Sequence, residues 1–231
     1  MKKHLALLLG LAITLPALTA SATIVGSSHD FSLSSWNTRN GVCSPCHTAH
    51  NTDPSQIVPL WAHATTTQTF IPYDSPKMQA IDKKQQPSAS SKACLSCHDG
   101  TVAVNQTFTT GATPVYTGGA AAAWPGSTTS AILGTNLSTT HPISITYDDT
   151  LATADGTLYS PSTLLQWTAG NGLAGKTIAQ TLLIGGKVEC GSCHDVHKQV
   201  GSSPTSGVDL RISGTDSSGR GSLLCRSCHN K

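Results

Sequence analysis

The chain carries the pattern Cys-x-x-Cys-His four times: Cys43-Ser-Pro-Cys46-His47, Cys94-Leu-Ser-Cys97-His98, Cys190-Gly-Ser-Cys193-His194 and Cys225-Arg-Ser-Cys228-His229. These motifs use all 8 cysteines, so nothing remains for a disulfide framework. The spacing is the attachment signature of c-type haem, in which the two thiols add to vinyl groups and the adjacent His becomes the proximal iron ligand. Paired Cys-x-x-Cys also suits tetrahedral zinc, but zinc does not require a His after each second Cys. With 10 His in 231 residues, four such placements by accident have odds on the order of one in 10⁵ to 10⁶. A thioredoxin-like reading fails on context, since no βαβ pattern surrounds the motifs. The expected cofactors are therefore four covalently attached haem c groups, with His47, His98, His194 and His229 as proximal ligands.

Met1-Lys2-Lys3 precedes an apolar run from Leu5 to Leu18, broken by Pro16, and Ala20-Ser21-Ala22 follows. That order reads as a secretory signal peptide over residues 1–22, cleaved after Ala22. The run is short and interrupted for a permanent span, and no second apolar stretch approaches membrane length. The expected mature protein is residues 23–231, exported and without a transmembrane segment. Loss of Lys2 and Lys3 takes 14 basic residues to 12, which balances the 12 acidic ones. Two propionates on each haem would then make the holoprotein acidic. No basic run or basic-aromatic patch supports a nucleic-acid partner.

Aromatic residues make up 5% and charged residues 11% of the chain. So thin a supply of large apolar side chains builds a poor conventional core, and porphyrin faces would supply much of the missing hydrophobic surface. The expected fold class is a multihaem cytochrome c. It is mostly irregular coil, with short helical turns and a few short β-strands wrapped around a haem core. The motifs fall into two pairs, 43–98 and 190–229, separated by a haem-free insert, 99–189. Each pair reads CxxCHxxH, spacer, CxxCH, as in an internal duplication. Strand candidates are Thr101–Phe108, Ile143–Tyr147 and Thr181–Ile184. Helix is expected as short turns around the motifs and near Pro161–Trp167. Thr109–Gly119 and Gly126–Ser130 read as loop.

Six-coordinate irons need four further ligands. Only Met78 remains once Met1 leaves with the signal peptide, so His is the available type. His29, His50, His141 and His197 are the distal candidates, with His63 as a fifth that four irons do not require. His50 lies three residues after His47, and His197 three after His194. On one helical turn such residues project from the same face, whereas two axial ligands approach an iron from opposite sides. His50 and His197 must each reach a haem other than the one held by the neighbouring proximal His. Asp30, beside His29, is placed to orient a ring nitrogen.

His29-Asp30-Phe31-Ser32, the first motif continued through Thr48-Ala49-His50, Pro59-Leu60-Trp61, the second motif continued through Asp99-Gly100-Thr101-Val102-Ala103, Thr140-His141-Pro142-Ile143, and the third motif continued through Asp195-Val196-His197 carry a resemblance. Together they resemble the doubled-CXXCH multihaem cytochromes c over nearly the whole mature chain. With four haems and an export signal, the chain looks like the tetrahaem members that polymerise into extracellular filaments. The resemblance implies bis-histidine haems in a continuous stack, with a His of one subunit completing a haem of the next. By that analogy His50 is the candidate for the donated ligand.

The expected function is electron transfer, with no catalytic residues, because saturated irons have no open site for a substrate. The expected location is extracellular or at the cell surface rather than periplasmic. Its partners would be further copies of itself and redox proteins or extracellular electron acceptors. A monomeric periplasmic carrier is the alternative. A multihaem reductase would need a five-coordinate haem, often marked by an altered motif such as CxxCK, and all four motifs here end in His.

Overall fold

The structure is a computed structural model, described here for residues 24–48, 58–106, 131–166, 173–197, 210–212 and 222–230. The proposed signal peptide, the two loops at 109–119 and 126–130, and His50 lie outside the described residues. Among the described residues, regular structure is sparse: α1 (Ala89–His98), β1 (Ile145–Thr146), α2 (Asp149–Asp155), α3 (Ile178–Thr181), β2 (Lys187–Val188), α4 (Cys190–Cys193) and α5 (Leu223–Cys228).

Each motif closes one α-turn. The His47 amide donates to the Cys43 carbonyl at 2.8 Å, His194 to Cys190 at 3.0 Å and His229 to Cys225 at 2.9 Å. The second motif forms the end of α1. This i→i−4 closure puts the first Cys, the second Cys and the His on one face of the turn. α1 stops at Gly100, whose φ is +75° and whose missing Cβ would lie 2.9 Å from Ile132 Cγ2. No other residue type fits both the left-handed backbone and that close approach.

β1 and β2 form an antiparallel pair with Ile145 opposite Val188 and Thr146 opposite Lys187. The chain enters β2 through a two-residue turn at Gly185 and Gly186, with φ of +60° and +76°, closed by reciprocal hydrogen bonds between Ile184 and Lys187 of 3.0 and 3.2 Å. Two consecutive positive φ values are what a tight hairpin of this twist demands. The hairpin delivers the chain into Glu189 and the third motif.

The larger core packs Ile145, Tyr147, Leu151, Leu165, Ile178, Leu182, Ile212 and Leu224 around the second motif pair, with Cys193 and Cys228 against it. A smaller cluster of Phe70, Leu95 and Leu137 lies under α1.

Among the described residues, which leave out 107 and 108, only Ile143–Tyr147 of the expected strands contains one. Residues 101–106 are turns, because Asp99 takes the Thr101 amide at 2.7 Å and its hydroxyl at 2.9 Å. Thr181 ends α3 rather than starting a strand, and Ile184 makes only an isolated bridge with Lys187. Residues 161–166 form turns rather than helix. The Thr163 amide closes on Ser160 O at 2.9 Å, and the Ser162 amide is taken by Ser160 Oγ at 3.2 Å.

Candidate haem sites

The four motifs are joined in chain order. Residues 58–66 link the first to the second. The Ala62 amide donates to Cys46 O at 2.8 Å, and Trp61 bridges His47. Further along, the Thr66 amide donates to Ser96 Oγ of α1 at 2.9 Å, and its hydroxyl donates to buried Asp99 at 2.5 Å. The second and third motifs meet where α1 packs on α4, and there Cys190 lies close enough to push the Cys94 thiol up. The third and fourth meet in the larger core, against which Cys193 and Cys228 both pack. The Tyr159 amide donates to Cys228 O at 2.9 Å.

The histidine rings are also arranged in pairs. His98 faces His29 with ring centroids 6.1 Å apart, His47 faces His197 at 6.0 Å, and His229 faces His141 at 6.3 Å. Each pair joins a motif His to one of the distal candidates. Two imidazole nitrogens each about 2 Å from a metal, with ring centres about 1.1 Å behind them, put the centroids about 6.2 Å apart. His47 and Trp61 lie at 6.3 Å and Trp61 and His63 at 6.1 Å, so the choice of partner, rather than the distance alone, marks the three pairs.

The outer nitrogens of several rings are held. His47 Nδ1 donates to Pro59 O at 3.0 Å, His98 Nδ1 to Ala131 O at 2.7 Å and His141 Nδ1 to Pro142 O at 2.8 Å. A carbonyl can only accept, so Nδ1 carries the proton and the Nε2 lone pair is left for a metal. Asp30, which lies next to His29, instead caps its own loop. It accepts from Ser32 and from the Gly26 amide, and these bonds hold its carboxyl below the usual range.

His197 lies at the first motif, but not through the helical turn that the spacing argument assumes. The segment after α4 is not one helical turn. His194 is extended, with φ −110° and ψ 140°, and bridges Leu210. Asp195 then accepts the His197 amide at 3.1 Å. That side-chain turn ends the helix and swings His197 away from His194.

His63 sits differently. It is buried, with Nδ1 2.8 Å from Ala64 O and Nε2 3.0 Å from Ala103 O. Its ring lies against Trp61 and Cys97 rather than facing a motif His among the described contacts. Burial pushes its pKa down, against the pull of the backbone carbonyls. Burial likewise raises the thiols of Cys46 to about 11, and of Cys97 and Cys228 to about 12.

The residues present fit haem: each motif sets two Cys and a His on one turn, and three motif His rings each lie beside a distal candidate. A porphyrin iron needs only two protein ligands. Leu60 and Leu133, 51% and 47% exposed, lie beside His47 and His98 and offer apolar edges to a macrocycle. Trp61 Nε1 is buried without an acceptor among the described residues, edge-on to His47, and is a donor of the kind a haem propionate satisfies. Sequence reasoning did not single out Trp61 for such a role, nor Glu189, a buried acid at the third motif.

Among the described residues no helix is long and apolar enough to cross a membrane. No protein-family profile matches the chain, and no curated protein matches it in sequence.

Proposed function

We propose that the protein is a tetrahaem c-type cytochrome that carries electrons along closely packed bis-histidine haems and assembles as the subunit of an extracellular filament. The observation that carries the electron-transfer reading is the facing of His98, His47 and His229 with His29, His197 and His141 at 6.0–6.3 Å. When bound, each haem supplies a one-electron ferric/ferrous couple.

The chain's own part is attachment, ligation and exclusion of substrate. The cysteines fix each group at a chosen place, and the carbonyls of Pro59, Ala131 and Pro142 orient the rings. His98 with His29, His47 with His197 and His229 with His141 would hold the iron in both oxidation states, so the chain would have little to move when an electron passes. Contact between successive motifs supports an electron path in the order first, second, third, fourth.

His50 is the remaining distal candidate for the iron of His194. Supplied by a neighbouring copy, it would make a head-to-tail contact that does not close on itself and so propagates as a helix. The filament reading rests on the family resemblance. Redox proteins or extracellular acceptors would meet the filament along its length or at its ends.

The test is electron microscopy of purified holoprotein and of His50→Ala. The expected result is filaments for the wild type and short or absent ones for the variant, with four haems in each. Normal filaments from His50→Ala would overturn the donated ligand. Monomers from the wild type would leave the single-molecule carrier.

A further inference from the structure

Glu189 is 1% exposed and has no Lys or Arg at ion-pairing distance among the described residues. Three hydroxyls serve it instead. Ser88 Oγ and Ser91 Oγ donate one to each carboxylate oxygen, and Ser144 Oγ donates at 3.0 Å. The hydroxyls are oriented from behind. The Ser88 amide donates to Ser144 Oγ at 2.8 Å and the Cys190 amide to Ser91 Oγ at 3.0 Å, which leaves both O–H bonds free to point at the acid. Three hydroxyl donors can solvate a negative charge on a carboxylate.

The position of this charge is specific. Ser88 and Ser91 belong to the start of α1, which ends in the second motif, and Glu189 immediately precedes the third. The Cys94 thiol is raised mainly by nearby Cys190, and the charge on Glu189 pushes it the same way. An anion buried between two attachment sites is costly unless solvated by the protein. A short apolar or amide side chain would join α1 to α4 without that cost.

We propose that Glu189 is a potential-setting residue, a fixed negative charge that lowers the reduction potentials of the haems attached at the second and third motifs relative to the outer two. The proposal rests on the four-haem reading and deepens it by giving the electron path a low-potential middle. Ferric iron carries one more positive charge than ferrous, so a nearby anion favours the oxidised form. A unit charge about 10 Å away in an effective dielectric of about 20 alters such an equilibrium by roughly tenfold.

The test is spectroelectrochemical titration of full-length holoprotein, fitted as four one-electron components. In Glu189→Gln two components should shift positive, each by roughly tenfold in the ferrous/ferric ratio at fixed potential, or about 59 mV. Glu189→Asp, which keeps the charge, should leave those two components near their wild-type potentials. Ser144→Ala keeps the charge but removes a donor, so it should move the same two components negative. It also serves if Glu189→Gln fails to fold. Unchanged potentials in Glu189→Gln, a uniform shift of all four components, or no response to Ser144→Ala would overturn the proposal. A wild-type protein without four haems would instead overturn the reading beneath it.

Discussion

Replacing His197 with Ala removes the ring that faces His47 at 6.0 Å and touches no residue of the attachment motif. The covalent haem at Cys43 and Cys46 should remain, with His47 on one side of the iron and an open position on the other. The magnitude follows from the pairing. One ring pair corresponds to one iron, and there are four motifs, so about one quarter of the iron should become high-spin. Two readouts measure this fraction. Electron paramagnetic resonance of the oxidised protein should integrate to one high-spin iron in four, and the reduced protein should bind about one carbon monoxide per chain. His29→Ala and His141→Ala should each do the same at the second and fourth motifs, and any two together should open half of the iron. His63→Ala should open none, because His63 lies between the carbonyls of Ala64 and Ala103. A fully low-spin His197→Ala protein, or a His63→Ala protein that binds carbon monoxide, would refute the pairing.

Three further outcomes follow from the packing and the thiols. In the denatured holoprotein none of the 8 cysteines should react with a thiol reagent, and any reactive thiol would contradict four doubly attached haems. Leu95→Ala, at a fully buried position of α1 packed on Phe70 and Leu137, should cost about 2–5 kcal/mol by denaturant titration. A loss below about 1 kcal/mol would show that the cluster under α1 is loosely packed. Burial lowers the His63 pKa against the pull of two carbonyls, so as pH falls through about 6.5 the unfolded chain takes up a proton before the folded chain does. Its contribution is complete above that pH and is lost as pH falls toward the lower folded value. His63→Gln should therefore flatten the decline in melting temperature on the acid side of neutrality, and an unchanged slope would count against a neutral, buried ring.

The motif turns could be read directly, because Cys, Cys and His at i, i+3 and i+4 share one face once the chain closes a single α-turn. The facing of His29, His141 and His197 with motif histidines was legible only as a count of candidates, since pairing depends on long-range folding. Secondary structure was harder. β1 lies inside the Ile143–Tyr147 segment, where β-branched residues alternate. α2 was missed although Asp148 accepts the Leu151 amide at 2.8 Å and Gly156, at φ +71°, ends the helix. α3 is hidden because the apolar run Thr181-Leu182-Leu183-Ile184 reads as strand, whereas the reciprocal cap between Thr177 and Gln180 starts a helix just before it. The turn at His194–His197 was assigned to helix from spacing alone, and Asp195 broke it by taking a backbone amide. Glu189 gave no sequence signal beyond being an acid beside a motif. Its three serines come from positions 88, 91 and 144, which only the folded chain brings together.

The central claim is four covalent, bis-histidine haems on one chain. Intact-mass measurement with electron paramagnetic resonance, on full-length protein expressed with a cytochrome c maturation system, tests it most directly. The expected result is the mass of the mature polypeptide plus four haems, with every iron low-spin. A zinc-loaded or unmodified polypeptide would contradict the claim outright, and a high-spin iron in the wild type would contradict its bis-histidine part.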